Sequence, residues 1–287
     1  MNNDNVKTSK LNIALTTAIS LFVLLSASWV VLRVSNPETD GPALLFGATY
    51  GLMALFGGIY GLLNAKKWGG WKSTLGRTLV YLSLGLLFAE FGQLVFSYYN
   101  IIKSVEIPYP SLADVGFFGS IPFYILGAFA LTKVTGLHAK IGKTFKKQLV
   151  FAVLPLILLI VSYMIFLRGY SFTDTPKLTI FLDFGYPLGQ ALYVGLALVI
   201  LLTTGNALGG VMKSRVLLLL AAFVAQYAAD FNFLYQNLHD TWQNGGYGDY
   251  LYLIAYFMMT LSLIHMMTVF KSPKIAPVTV APEVTHE

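Results

Sequence analysis

Apolar residues occupy most of this chain in eight long blocks, and the polar residues gather between them. The blocks cover about 11–33, 42–64, 78–101, 114–132, 148–167, 178–203, 216–237 and 249–270. Each is close to the ~20 residues an α-helix needs to cross the hydrocarbon core of a bilayer. A transmembrane barrel would instead show short alternating segments. The pattern predicts an all-α polytopic integral membrane protein with eight transmembrane helices.

The few polar positions inside the blocks are spaced like helix faces. Block 3 carries Glu90, Gln93, Ser97 and Asn100, and block 6 carries Asp183, Tyr186, Gln190 and Tyr193. Block 7 carries Gln226, Asp230 and Asn237. Block 8 carries Asp249, Tyr252, Tyr256 and Thr260. Block 4 opens on Asp114 and places Ser120 and Tyr124 further in.

The pattern also recurs. The segment 89-AEFGQLVFSYYN-100, a polar loop and 113-ADVGFFGSIPFYILGAF-129 form one unit. The segment 229-ADFNFLYQNLHD-240, a polar loop and 248-GDYLYLIAYFMMTLSLI-264 form the other. Glu90 and Asp230 stand 140 positions apart, and Asp114 and Asp249 stand 135 apart. Two parallel four-helix repeats are expected, 1–140 and 141–271, followed by a disordered cytoplasmic tail over 272–287.

Composition sharpens the topology. Only 11% of the 287 residues are charged and 56% are hydrophobic. Of the 19 Lys and Arg, only Arg33, Lys103, Arg168 and Lys177 fall on one side of the predicted spans. The excess on the other side places both termini in the cytoplasm of an inner (cell) membrane protein. The net charge of +6 is read as this topology signal, with the basic loops 66–77 and 133–147 near anionic lipid heads and no nucleic-acid partner.

Carboxyl groups inside a bilayer are costly, so they face a partner or a cavity. Asp114, Asp183 and Asp249 stand near helix starts, where a carboxylate caps free N–H groups. Glu90 and Asp230 stand mid-helix, where capping is no explanation. No basic residue lies inside a block to neutralise them. Either some of the five are protonated and bonded across helix pairs, or a cation joins them in a lined cavity.

The expected ligand-binding residues are Glu90, Gln93, Asp114, Tyr124, Asp183, Tyr186, Gln190, Asp230, Asp249 and Tyr256. Acids with aromatic walls suit an organic cation, and they suit a proton relay as well. With no cysteine, four scattered histidines and no nucleophile–base pair, neither a metal site nor an enzyme is expected, and a cofactor is unknown. A sensor or receptor-like module with an externally open acidic–aromatic pocket is the first reading, and a proton- or cation-coupled transporter the second.

The stretch 108-PYPSLADVGFFGSIPFYILG-127, with Pro110, Ser111, Ala113, Asp114 and Pro122, resembles the multi-span membrane sensory regions that precede GGDEF or EAL domains in bacterial signalling proteins. The segments 182-LDFGYPLGQALYVGLAL-198 and 248-GDYLYLIAY-256 are similar to further parts of that pattern. The resemblance implies a sensory role. With no output domain after residue 270, it implies a separate cytoplasmic signalling protein as partner.

Overall fold

The computed structural model describes residues 3–35, 40–135, 145–204 and 210–266. Among them the chain is helical throughout, with no strand. Seven helices are long and apolar enough to cross a membrane, and a shorter apolar helix spans Ala152–Leu167. The expected tail and the end of the last predicted span, 267–287, lie outside the described residues, as does most of the basic loop 133–147.

The helices are α1 (Asn3–Ser35), α2 (Gly41–Thr49), α3 (Leu52–Lys67), α4 (Thr74–Ser97), α5 (Leu112–Val134), α6 (Phe145–Ser162), α7 (Lys177–Thr204), α8 (Gly210–Leu238) and α9 (Tyr247–His265). The second predicted span is thus broken. Between α2 and α3, the Met53 N–H bonds the Tyr50 carbonyl at 3.2 Å, one residue short of the regular partner. Tyr50 and Gly51 keep right-handed helical angles, so the break shifts the hydrogen-bond ladder without turning the chain.

Helix packing closes a ring. α3 lies against α4, α4 against α5, α5 against α7, α7 against α8, α8 against α9, and α9 returns to α3. The most extensive pairing is α4 with α5. Gly116 makes it close: a Cβ there would overlap the backbone of Gly92. Small residues let membrane helices approach in this way when no hydrophobic force draws them together.

Two helices stand outside the ring. α6 packs on α7, and α1 packs mainly on α9. α1 turns a narrow stripe of Ala14, Ala18, Leu25 and Leu32 inward, while Val23, Leu24 and Val31 are exposed as lipid-facing residues would be. At its end, Trp29 stacks on Tyr250 at 4.3 Å and its indole N–H reaches the Gly245 carbonyl at 3.1 Å.

Candidate functional site

The interior of the ring is where the chain places its polar groups. Seven of the expected residues are buried: Glu90, Gln93, Tyr124, Gln190, Asp230, Asp249 and Tyr256. Asp114, Asp183 and Tyr186 are half-buried toward the end that carries loops 104–111, 168–176 and 239–246.

Asp114 and Asp249 both cap helix starts, and each lies against a tyrosine hydroxyl of another helix. Ser111 and Asp114 form a capping box at the start of α5, with the Ser111 N–H on Asp114 Oδ2 at 2.7 Å. The other oxygen accepts from the Tyr186 hydroxyl of α7 at 2.8 Å. At the start of α9, Asp249 Oδ2 accepts the Gly245 N–H at 2.6 Å, and the carboxyl also meets the Tyr50 hydroxyl. Each aspartate thus ties the start of its own helix to a tyrosine on a neighbouring helix of the ring.

Asp183 does not cap its helix in this way. Its two oxygens accept from Tyr109 at 2.7 Å and Tyr170 at 2.6 Å, hydroxyls that come from two different loops. Burial and then this bond push the Tyr109 phenol well above its ordinary range. The bond to Asp183, then burial, push Tyr170 up to about 12.

Asp230 is the best-served acid. It accepts from Tyr193 of α7 at 2.5 Å, Tyr252 of α9 at 3.0 Å and the Gln226 amide one turn earlier at 3.1 Å. Three donors on one carboxyl make the charge-assisted bonds that are stronger than neutral ones. Tyr124 packs edge-on against Tyr193 at 5.7 Å, closing the apolar side of this cluster, and its hydroxyl has no partner.

Glu90 differs. It is 2% exposed, and no hydrogen bond reaches its Oε2. The carboxyl lies directly over Gly51, where any Cβ would overlap that oxygen. The break in the second span is therefore shaped to Glu90. Gln93, one turn further along α4, bridges the same break: its amide donates to the Gly47 carbonyl at 2.5 Å and its Oε1 accepts from Tyr50 at 2.9 Å.

Aromatic rings join these clusters. Tyr50 stacks with Tyr252 at 6.3 Å and with Tyr256 at 6.1 Å. Tyr256 lies within electrostatic reach of Glu90, Asp230 and Asp249, and Tyr186 within reach of Asp114 and Asp230. The acids thus sit along one connected run of carboxyl and tyrosine groups, with Asp183 at its outer end. Glu90 and Asp230 are bridged by tyrosines. A shallow groove with no room for a water molecule is lined by Gly47, Ser97, Asn100 and Asn244 among others.

Sequence reasoning passed over three of the donors. Tyr50, Tyr109 and Tyr170 lie at a span break or in loops, where a tyrosine reads as part of an interfacial belt. One signal was present: Tyr50 stands 136 positions before Tyr186, close to the spacing that separates the paired acids. Compared with protein-family models, curated proteins and solved structures, the chain matches none.

Proposed function

We propose that the protein is an eight-span inner-membrane protein built as two parallel four-helix repeats, 1–140 and 141–271, with both termini cytoplasmic. It acts as a sensor- or receptor-like module, not an enzyme. A small cation or protons entering from the external side act on the buried carboxyl–tyrosine run. The resulting shift in helix packing passes through the basic loops to a separate cytoplasmic partner.

One observation carries this reading. Carboxyls from both halves lie along one run of tyrosine rings, yet Glu90 Oε2, Tyr124 Oη and Gln226 Oε1 within it have no partner. A buried polar atom left unpaired costs about 1–3 kcal/mol. Retaining three such atoms in a membrane interior fits a site that is completed by something else. The matched pairs Asp114–Tyr186 and Asp249–Tyr50 support the repeat, since each links the fourth span of one half to the second span of the other.

Transport is the second reading, and the break between α2 and α3 favours it. Discontinuous helices facing buried acids are how many transporters build their sites.

The test is hydrogen exchange of the protein in lipid nanodiscs, across pH and with added organic ammonium ions. Protection in α3 and α4 should change in the wild type and stay fixed in Glu90→Gln. Identical exchange under every condition, in wild type and variants alike, would remove the sensory reading. Net uptake of cation into sealed proteoliposomes would select the transporter.

A further inference from the structure

The partnerless carboxyl oxygen of Glu90 says more than that a ligand is missing. Of the three unpaired atoms, Glu90 Oε2 and Gln226 Oε1 only accept hydrogen bonds, and the Tyr124 hydroxyl has its donor unused. The Glu90 oxygen is therefore a buried acceptor that no donor reaches. It is also close-packed: it lies against the Gly51 backbone, and the Gln93 side chain borders the same spot. An ammonium ion or an alkali-metal ion would need several ångströms of cleared space. A proton needs none.

We infer, resting on the reading above, that the ligand of this site is the proton and that Glu90 is the group that takes it up. The step is a plain exchange: Glu90 as carboxylate gains one proton from water and becomes the carboxylic acid, and the same proton returns to water on release. The route in starts at the groove beside Gly47 and Asn244, which has no room for a water, so the proton passes along side chains. The Asp249 carboxyl and the Tyr50 hydroxyl stand between that groove and Glu90.

The titratable groups that face Glu90 are Tyr50 from the α2–α3 break, with Asp249 and Tyr256 from α9. None of them is a cation. A bare carboxylate at Glu90 thus has no counter-charge, and what it meets is the Gly51 backbone at the shifted ladder between α2 and α3. Proton loss leaves an uncompensated charge pressed on that backbone, where Gly51 lacks a Cβ. The α2–α3 break is then the element that moves.

The Asp230 cluster serves as the internal control. Its carboxyl is already filled by Tyr193, Tyr252 and Gln226, so it is fixed while Glu90 exchanges.

Infrared difference spectroscopy of the full chain in lipid nanodiscs, stepped across pH, tests this. The expected result is one carboxylic-acid C=O band that appears as pH falls, is lost in Glu90→Gln and persists in Asp230→Asn. Gly51→Ala, which displaces the carboxyl without removing it, should shift the band, and this variant decides the matter if Glu90→Gln does not fold. A band lost only in Asp230→Asn, or one unmoved by both Glu90→Gln and Gly51→Ala, overturns the inference. The two readings fail separately. A Glu90 band with no pH-dependent change in helix protection would leave the proton site and remove the sensor. A pH or ammonium response without a Glu90 band would do the reverse.

Discussion

Two buried mid-helix carboxyls, 140 positions apart, are treated in opposite ways. Asp230 accepts three hydrogen bonds from three side chains. Glu90 has an oxygen that none reaches. On the offsets of 135 and 140 positions, the donors Tyr252 and Gln226 correspond to Phe117 and Leu86. The first half therefore has apolar side chains where the second half has the groups that satisfy its acid. On the proposed repeat, equipping one carboxyl and leaving the other bare separates a structural role from an exchangeable one. Satisfied buried networks rigidify a core, and a half-satisfied one stays only where something else uses it.

The seams beside the two acids differ as well, and this difference carries the largest expected effect. Gly116 and Gly92 let α4 and α5 meet backbone to backbone, whereas Leu251 and Asn232 stand at the offset positions in α9 and α8. Gly116→Val should destabilise the protein by about 3 kcal/mol or more, since overpacking a tight contact forces the backbones apart. Leu251→Val in the other seam should cost about 1 kcal/mol. Reversible unfolding in bicelles reads both, and equal losses would mean that the α4–α5 approach is not special.

The acids themselves give the next largest difference. Asp230→Leu leaves two phenol hydroxyls and an amide without their acceptor, and about 3 kcal/mol of stability should go with it. Glu90→Met removes a carboxyl that has little to lose. Replacing a buried charge by an apolar group of similar size is often neutral or stabilising, so a change of about 0–1 kcal/mol in favour of the variant is expected. The same unfolding measurement compares them, and a large loss from Glu90→Met would erase the contrast. Within the Asp230 cluster, Tyr252→Phe removes a single bond and should cost about 1 kcal/mol.

Much of this architecture was legible in the sequence, and the part that was not has a physical reason. Helix positions followed from runs of apolar residues, because a bilayer leaves the backbone no alternative to internal hydrogen bonding. The mid-helix acids stood out for the same reason. The break at Tyr50–Gly51 did not, since 44-LLFGATYGLMALFGG-58 is apolar on both sides of it and a shift in ladder register leaves no mark in composition. Nor could spacing tell that Asp230 would be filled while Glu90 stayed open. That depends on which rings reach across the interior, and Phe117 in place of a tyrosine is visible only once the two halves are laid over each other. Sequence reasoning puts Asp183 near a helix start, with Asp114 and Asp249, where a carboxylate caps. In the structure it sits at the run's outer end, held by loop tyrosines that spacing could not assign to it.

That outer end offers the smallest effect and a clean sign. The bond to Asp183 raises the Tyr170 phenol from its ordinary value near 10 to about 12. A group raised on folding adds stability that is fully present below its unfolded value. This contribution fades as pH climbs through the folded value, so the Tyr170–Asp183 link holds unchanged at neutral pH and loosens only between about 10 and about 12. Tyrosinate absorbance, taken as the difference between wild type and Tyr170→Phe, isolates this one phenol. Asp183→Asn should bring its titration back toward the ordinary value. Phenols at this outer end then open far from neutral pH. Tyr170 therefore does not drive a packing change between pH 5 and pH 8, and the contrast with Asp230 points such a change at Glu90. Were the neutral-range response to vanish in Asp183→Asn and survive in Glu90→Gln, the loop clasp would be the switch and the roles assigned to the two regions would be exchanged.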